Sequence, residues 1–600
     1  MILQHIIFPH ENNCEEEELY FRKDNKSHLE ASENLLFFES GGTVSFDTYF
    51  NAISIGKWLK YTVVNQIDLC LKIRGKYTLS LVHISESLKR QPITEVVSEI
   101  NWDTKDAIEE IRVPLDCGRP AGIAGFKLTA LEEGSEMYGG AYVTEMVPID
   151  KVKLALIICT FCREHFVYNN INILKKAFFN NETSALRDKI KVYISDNGNS
   201  LTVDKNDSIM IFPNKNTGGA GGFTRGMIEA WKEREHSGVT HILLMDDDVI
   251  IQPESIYRTY TLWSLLRTKY QDSFIGGAML SQEEPWLQIE AGAYWNGGDL
   301  QSRKSKFDLR NVIDCVRNER EEICDYNAWW YCSFPMSHVR DDNLPLPIFI
   351  RGDDVEFGLR NMKHLILLNG ICVWHQPFEN KYSSTLYYYI YRNRLVINAI
   401  HGSAGYEKKI WREICGIVFQ ELFIFRYKNA KLLLTGIEDF LKGVDWLKQQ
   451  DGEKINEKVL AESYHLLDVT EIKDSFDLSD CKEGIYSSEG RIRKIIRKLL
   501  LNGMFLKGDG NVVVSLINPH AYYFYRKERA LCYDYIGNRG FIIERDRGEF
   551  LRILKKMLQL KRCFEKNHES IAKEYKSKGE DLLQLEFWER YLRIEREKNE

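Results

Sequence analysis

Three consecutive carboxylates, Asp246, Asp247 and Asp248, follow directly after the apolar run 242–245. The run is short and does not alternate, which is typical of a strand buried on both faces of a parallel sheet. Side chains two residues apart in a strand point the same way, so Asp246 and Asp248 can converge while Asp247 points away. Two such oxygen ligands at the carboxyl end of a strand suit Mg²⁺ or Mn²⁺. A solvated acidic loop or a helix N-cap is the alternative.

A second strand-like run, 346–350, also ends in carboxylates, here Asp353 and Asp354. They open a segment with helical character, so either could be an N-cap. The functional interpretation is a general base beside a metal-bound ligand. Farther along, His375 ends another apolar run. A histidine at the end of a strand is usually structural. It can complete a metal site with Asp246 and Asp248 if the fold brings the three residues together.

A glycine-rich segment, 216–226, lies between a predicted strand and a predicted helix, and Gly218 and Gly219 are its first glycines. Glycines allow a ligand to approach the backbone, and the following helix offers free N–H groups to anionic oxygens. The segment matches neither the P-loop nor the dinucleotide-binding pattern. A flexible loop with a packing glycine is the alternative.

The elements that must position these residues alternate between strand and helix. We predict strands at 153–160, 191–196, 208–212 and 242–245, and helices at 165–180 and 218–236. This alternation indicates a doubly wound, mostly parallel α/β sheet from 151 to 385. Polar residues at the strand ends should then line one edge, where a nucleotide is expected; these are Thr160, Arg163, Asp196, Asn197, Asn214, Asn216, Asp246 and Asp248.

The flanking regions have different patterns. Residues 1–150 contain short β-branched or alternating runs, which predict an N-terminal all-β sandwich; the runs are 18–22, 42–46, 61–64, 69–73, 77–84, 122–131 and 139–146. Residues 386–600 predict a C-terminal helical region, with helical segments at 407–450, 453–466, 490–502 and 547–600. Segment 490–502 is basic and amphipathic, so it can lie on an anionic membrane, although a solvated face over a helical core is the simpler interpretation.

Composition bounds the class of protein. The 600 residues are too many for one core, and a net charge of −7 argues against a dominant nucleic-acid surface. The 13 scattered cysteines and the lack of a signal sequence favour a reducing compartment. No run is long enough for a membrane span. We therefore expect a cytoplasmic chain, soluble or peripheral on the inner face of the membrane.

The order and spacing of several motifs together resemble the mycobacterial-type polymerising galactofuranosyltransferases, a branch of the inverting GT-A glycosyltransferases of family 2. The resemblance covers roughly residues 40 to 400 and rests on segments 48–52, 160–163, 196–198, 216–226, 245–249, 329–330, 353–360 and 373–375. It implies a GT-A domain between the sandwich and the helices. It also implies a UDP-sugar donor, a cell-surface or lipid-linked glycan acceptor, and Mn²⁺ or Mg²⁺.

The resemblance assigns roles to individual residues. Asp246, Asp248 and His375 would hold the metal, and Asp354 would be the catalytic base. Donor binding would use Thr160, Arg163, Asp196, Asn197, Gly218, Gly219, Asp246 and Asp247. Asn197 stands where a glutamine is expected beside the diphosphate. Acceptor binding would use Trp295, Trp329, Trp330 and Asp353, although clustered tryptophans are equally common in cores.

Other functions remain open. The chain could use a different nucleotide sugar, act as a nucleotidyltransferase, or bind glycans through an inactive transferase domain. A nucleotidyltransferase would need a basic loop after the first strand, which segment 160–164 is not. An inactive domain is disfavoured because Asp248, Asp354 and His375 are all present. The acceptor, the linkage, polymerisation and homo-oligomerisation are left open.

Overall fold

We describe the protein from a computed structural model that covers residues 1–594 except 12, 106, 203–206, 297, 378–381, 403–405, 473–475 and 483–488. The chain forms two compact units. The first unit comprises Met1–Asn296, Leu300–Pro345 and Asp354–Pro377. The second unit comprises Gly297–Asp299, Leu346–Asp353 and Phe378–Glu600.

The first unit begins with two antiparallel sheets. Their elements are β1 (Ile2–Ile6), β2 (Arg22–Lys23), β3 (Ser27–Glu30), β4 (Leu35–Phe38), β5 (Thr43–Ser45), α1 (Ile55–Tyr61), β6 (Asp68–Arg74), β7 (Lys76–Glu86), β8 (Pro92–Asp103), β9 (Glu109–Pro114), β10 (Ile123–Ala130) and β11 (Ser135–Val143). One sheet has the order β3-β4-β11-β6-β9 with β1 on β11, and the other is β2-β5-β10-β7-β8. Alternation explains the strands: Leu69, Leu71 and Ile73 of β6 are fully buried while the residues between them are not.

The sheet-rich N-terminal region is confirmed, but two of its predicted strands are wrong. Residues 17–19 form a short 3₁₀ helix, and only Arg22–Lys23 pair as a strand. Tyr61 ends α1, so segment 61–64 is not a strand. Trp58 and Tyr61 are buried on one face of this short helix. Short runs with buried aromatic residues also occur in strands, so the sequence pattern did not distinguish the two.

The rest of the first unit is built on a ten-stranded mixed sheet. Its elements are β12 (Leu154–Thr160), α2 (Glu164–Leu174), β13 (Ile190–Asp196), β14 (Ile209–Pro213), α3 (Gly218–Ser237), β15 (His241–Asp246), β16 (Ile250–Ile251), α4 (Pro253–Leu265), β17 (Phe274–Ser281), β18 (Leu287–Glu290), β21 (Phe307–Asp308), α5 (Val312–Asn318), β22 (Cys332–Pro335), α6 (Asp353–Asn361) and β23 (Leu365–His375), with a small separate hairpin of β19 (Ala293–Trp295) and β20 (Leu300–Ser302). A π-helical turn, Lys175–Phe179, extends α2.

The predicted parallel pairing is confirmed for one half of this sheet. Strands β14, β13, β12 and β15 are parallel neighbours in that order. Beyond β15 the pairs with β22, β18 and β21 are antiparallel, and β17 pairs parallel with β23. The sheet is therefore mixed rather than mostly parallel. In the parallel half, Thr160 is level with Asp196 and Cys159 with Asp246, so the polar strand ends share one edge.

A buried arginine joins the N-terminal sheets to this mixed sheet. Arg258 of α4 is fully buried, and its Nη2 donates to the carbonyl of Phe50 at 2.6 Å. Its Nη1 donates to the carbonyl of Asn369 at 3.0 Å, and its Nε to Glu254 at 3.1 Å. One guanidinium thus binds residues from both parts of the first unit with a fixed geometry.

The second unit combines helices with a small sheet. Its elements are α7 (Thr385–His401), α8 (Tyr406–Phe423), α9 (Tyr427–Phe440), α10 (Gly443–Gln449), α11 (Gly452–Ala461), β24 (Leu467–Asp468), α12 (Arg491–Leu499), β25 (Asn511–Ser515), β26 (Arg529–Asp534), β27 (Arg539–Glu544), α13 (Arg547–Lys578) and α14 (Leu585–Leu592). The helices follow the predicted segments. The four-stranded sheet β24-β27-β26-β25 was missed. Among the described residues, no helix combines the length and apolar content needed to cross a membrane.

Candidate active site at the strand edge

The predicted metal ligands lie together at the carboxyl end of β15. Asp246, Asp248 and His375 each offer one ligand atom, and these atoms lie within 4.8 Å of one another. Nε2 of His375 is 3.1 Å from Oδ1 of Asp248, and both side chains are buried. Two carboxylates and an imidazole converging from different strands form a donor set that fits a divalent ion such as Mn²⁺.

The chain reversal after Asp248 explains why His375 reaches this cluster. Strand β16 begins at Ile250 and pairs antiparallel with β23, with Ile250 opposite Trp374. His375 is the next residue and the last of β23. Asp248 and His375, 127 positions apart in the sequence, are therefore brought together by a two-residue strand pairing.

The electrostatics of the cluster favour a bound cation. Burial raises the pKa of Asp246 to about 7, and the negative charge of Asp248 adds to the effect. The imidazole of His375 opposes it. Carboxylates crowded in a buried site repel one another, and a divalent ion relieves that repulsion by binding to both.

Asp247 points away from the cluster, although it lies with Asp248 in the turn after β15 and not in the strand, so strand alternation is not the cause. Its carboxylate accepts hydrogen bonds from Oγ1 of Thr160 at 2.7 Å and from Nη1 of Arg163 at 3.1 Å. The same Nη1 is 2.7 Å from Oδ2 of Asp248. Nδ2 of Asn170 donates to the backbone carbonyl of Asp247 at 3.0 Å. Thr160, Arg163 and Asn170 therefore hold the acidic turn in its conformation.

Asp196 and Asn197 are buried and bound to protein atoms. One oxygen of Asp196 accepts from the amide of Gly198 at 3.1 Å, and the other from the amides of Ser200 and Leu201, both at 2.8 Å. Nδ2 of Asn197 donates to the carbonyl of Gly218 at 3.0 Å. These contacts shape the turn after β13 and fix it to the start of α3. The donor-binding roles of both residues stay predictions.

The glycine-rich segment packs closely against the sheet. Gly218 and Gly219 are the first residues of α3, and Gly218 has φ +68°. A Cβ on Gly222 would lie 2.1 Å from Sγ of Cys159, and one on Gly226 would lie 2.3 Å from Cγ2 of Ile157. Two of the later glycines are thus needed for helix–strand packing, while the N–H of Gly218 donates to Oδ1 of Asn216 at 3.1 Å.

Asp354 stands in the first turn of α6 and is half-buried. Its Oδ1 accepts a hydrogen bond from the amide of Val355 at 2.8 Å. Its charge helps to raise the pKa of both Asp246 and Glu290, which places it near both carboxyls. Burial is the main reason that the pKa of Glu290 rises to about 7. Asp353 is also buried and belongs to the second unit.

Two of the three predicted acceptor-site tryptophans are packed in the core. Trp329 is 4% exposed and makes edge-to-face contacts with Phe223 and Phe357. Trp330 is 6% exposed, and its Nε1 donates to the carbonyl of Gly277 at 3.0 Å. Trp295 is partly exposed at the end of β19. Of the three, Trp295 offers the most ring surface to an acceptor, and the acceptor roles stay predictions.

Comparison with known proteins shows a similarity to galactofuranosyltransferases. Residues 3–145 match the family model described as Galactofuranosyltransferase 2 N-terminal. Galactofuranosyltransferase GlfT2 of Mycobacterium tuberculosis (strain ATCC 25618 / H37Rv) is 26% identical over 435 residues, which are 67% of this chain and 65% of that protein. GlfT2 of Mycolicibacterium smegmatis is 26% identical over 430 residues, 67% of this chain and 64% of that protein.

This chain is similar to the GlfT2 galactofuranosyltransferases over two thirds of its length. The matched region spans slightly less than two thirds of each relative's own length. The family-model match ends just beyond β11, so it covers the two N-terminal sheets. A solved mannosyltransferase, PcManGT from Pyrobaculum calidifontis in complex with GDP-Man and Mn²⁺, covers 53% of this chain and 87% of its own at 9% identity and a TM-score of 0.26, a likeness too weak to support any argument.

Sequence reasoning missed two residues at this candidate site. Glu290 ends β18 as a buried carboxyl near Asp354, and Asn170 of α2 supports the acidic turn. Glu290 had a weak signal, since it is an acidic residue between an apolar strand and a Gly-Ala-aromatic segment. Asn170 had none, because a polar residue within a helix is usually exposed.

Proposed function

We propose that this chain is a metal-dependent inverting glycosyltransferase of the GT-A type. It would transfer galactofuranose from UDP-galactofuranose to a cell-surface or lipid-linked glycan. The names of the family relatives support the reaction and the sugar. The metal dependence of the proposed reaction is supported by the convergence of Asp246, Asp248 and His375 at the carboxyl edge of the sheet. We retain the division into a sandwich (1–150), a transferase domain (151–385) and a C-terminal region (386–600) as part of this proposal.

Asp246, Asp248 and His375 would hold Mn²⁺ or Mg²⁺. The bound ion would neutralise the charge that develops on the departing diphosphate. Arg163 places a positive charge at the same edge, and its contacts with Asp247 and Asp248 fix that charge in position. The N-terminus of α3 carries a partial positive charge that favours anionic oxygens. The chain thus supplies carboxylates that would bind a cation and positively charged groups that would bind the phosphates of the UDP-sugar.

Asp354 would accept the proton of the attacking acceptor hydroxyl. Its position in the first turn of α6 favours the carboxylate form, because a helix N-terminus carries a partial positive charge. It is half-buried, so solvent can be displaced when an acceptor binds. Attack from the side opposite the departing diphosphate would invert the anomeric carbon.

The test measures UDP release by the full chain with UDP-galactofuranose and a glycan acceptor. We expect turnover with Mn²⁺, none with EDTA, and much slower turnover with UDP-galactopyranose. Asp354→Asn should lower kcat by about 10² to 10⁴, the usual contribution of a general base, while UDP affinity is retained.

Asp353→Asn is the matched control, since it makes the same change one residue away. It should alter the KM for the acceptor and leave kcat within about tenfold, because a binding contact acts on ground state and transition state alike. Equal loss of kcat in both variants would refute the assignment of the base. Turnover with another nucleotide sugar that is as fast as with UDP-galactofuranose, or faster, would refute the sugar, and activity that survives EDTA would refute metal dependence.

A further inference from the structure

Helix α12 presents its apolar side chains to solvent. Ile492, Ile495, Ile496 and Leu499 fall at positions i, i+3, i+4 and i+7, which share one face of a helix. Their exposed fractions are 75%, 59%, 50% and 77%. An amphipathic helix on a globular protein normally turns such a face toward the core. The orientation of α12 is therefore the reverse of the usual one.

A buried arginine holds the helix in this reversed orientation. Arg497 is 6% exposed, and its Nε and Nη2 donate to the carboxylate of Glu489 at 2.7 and 2.9 Å. Its Nη1 donates to Oδ1 of Asn502 at 3.0 Å. Asn502 in turn donates to the carbonyl of Phe423 at 2.7 Å. The polar side of α12 thus anchors it to the second unit, and the apolar side is left outside.

The remaining cations of the helix are exposed beside these apolar side chains. Arg491, Arg493, Lys494 and Lys498 are all exposed, and the helix contains no acidic residue. The chain that follows adds the exposed side chains of Leu500, Phe505 and Leu506, at 41%, 47% and 36%. Exposed isoleucines and leucines interleaved with cations are the composition that binds at the boundary between anionic headgroups and acyl chains.

We propose that α12 docks this protein on the surface of an anionic lipid bilayer. The four apolar residues of the helix would enter the acyl boundary, and the four exposed cations would lie at the headgroups. A second copy of this chain is a poorer occupant. A two-fold contact through this face would bring the same cations of both copies together, and like charges repel.

The test is co-sedimentation of the full chain with vesicles. One set contains phosphatidylcholine and about 30% phosphatidylglycerol, and the other phosphatidylcholine alone. We expect binding to the anionic vesicles that weakens as salt is added. Changing Arg491, Lys494 and Lys498 to Gln should reduce the partition coefficient about 100-fold, since each cation near the surface contributes a factor of about five. Changing Ile492, Ile495 and Leu499 to Ser should abolish binding to both sets of vesicles.

Matched variants elsewhere control for net charge and hydrophobicity. Lys555, Lys566 and Lys573 are exposed on α13, and changing them to Gln removes the same charge. Leu88, Val147 and Ile536 are 104%, 73% and 82% exposed, and changing them to Ser removes similar apolar surface. Both control variants should bind like the wild type.

Three outcomes would overturn the proposal. They are a wild type that does not bind anionic vesicles, α12 variants that bind as the wild type does, and control variants that lose as much binding as the α12 variants. Self-association in ultracentrifugation that the Ser variant abolishes, without vesicle binding by the wild type, would assign the face to a second copy instead. Transfer to a water-soluble acceptor should be unchanged in all variants, which separates this proposal from the proposed function.

Discussion

The charge of Asp248 should determine how tightly the strand edge binds a divalent cation. Asp248→Asn keeps the shape of the side chain and removes one of the two carboxylates that converge with His375. We expect the affinity of the full chain for Mn²⁺ to fall about 1,000-fold, equivalent to about 4 kcal/mol.

The magnitude follows from Coulomb's law at a separation similar to those between the ligand atoms, which lie within 4.8 Å of one another. Two unit charges 4 Å apart interact by about 4 kcal/mol at an effective dielectric constant of about 20, so a carboxylate facing a divalent ion interacts by about 8 kcal/mol. The amide oxygen of asparagine can still coordinate the ion. The ion also loses hydration when it binds to the carboxylate, and this cost offsets part of the Coulomb energy. We take about half of the Coulomb energy as the net effect.

The assay is titration of the full chain with Mn²⁺, followed by the electron paramagnetic resonance signal of the free ion. A pH of about 8 keeps Asp246 ionised in the wild type, since its pKa is raised to about 7. Asp247→Asn is the control, because it removes the same charge from a carboxylate that contacts Thr160 and Arg163 instead. Its effect should be no more than about tenfold, because the Coulomb energy falls with distance.

The reasoning would be refuted by either of two results. Unchanged Mn²⁺ affinity in Asp248→Asn would show that this carboxylate is not a ligand. Equal weakening in both variants would show that the turn supplies only a diffuse negative potential. His375→Gln separates these further, since it leaves every carboxylate in place and should still weaken binding if the imidazole coordinates the ion.

Three other predictions concern stability, measured by denaturant unfolding. Glu290→Gln should raise the free energy of unfolding by about 2 to 3 kcal/mol at pH 8 and leave it unchanged at pH 4.5. Burial raises the pKa of Glu290 to about 7, so its ionisation destabilises the fold as pH rises from 4.5 to 7. Burial lowers the pKa of His5, but the charge and hydrogen bond of Glu254 raise it above 6.5. Protonated His5 therefore stabilises the fold by no more than about 1 kcal/mol below pH 6.5, and this stabilisation is lost as pH rises through the folded-state pKa. It should be absent in His5→Gln. Gly222→Ala should cost about 1 to 3 kcal/mol, because its Cβ would lie 2.1 Å from Sγ of Cys159.

Each of these predictions has an observation that would contradict it. An equal gain for Glu290→Gln at both pH values would mean that ionisation is not the cause. A pH dependence that persists unchanged in His5→Gln would assign it to another group. Gly416→Ala is the control for Gly222→Ala, since a Cβ there has no neighbour within 4 Å in α8, and it should stabilise the protein slightly. Similar losses at both glycines would exclude a steric cause.

The sequence by itself determined the local elements of the parallel half-sheet and their order. The strands ending at Thr160, Asp196 and Asp246 are rich in apolar residues, and helices of the right length separate them. Local pattern was sufficient because each strand pairs with a neighbour through a standard crossover. It also predicted the convergence of Asp246 and Asp248, but for the wrong reason, because β15 ends at Asp246 and the turn that follows places Asp248.

The tertiary structure decided what depends on pairing between distant segments. The approach of His375 to Asp248 depends on the pairing of β16 with β23, and β16 is only two residues long, too short to leave a pattern. The position of Glu290 near Asp354 depends on the antiparallel part of the mixed sheet, which the alternation of strands and helices did not predict. The outward face of α12 is decided by Arg497 and Glu489, because an amphipathic pattern specifies which residues share a face and not which way that face is turned.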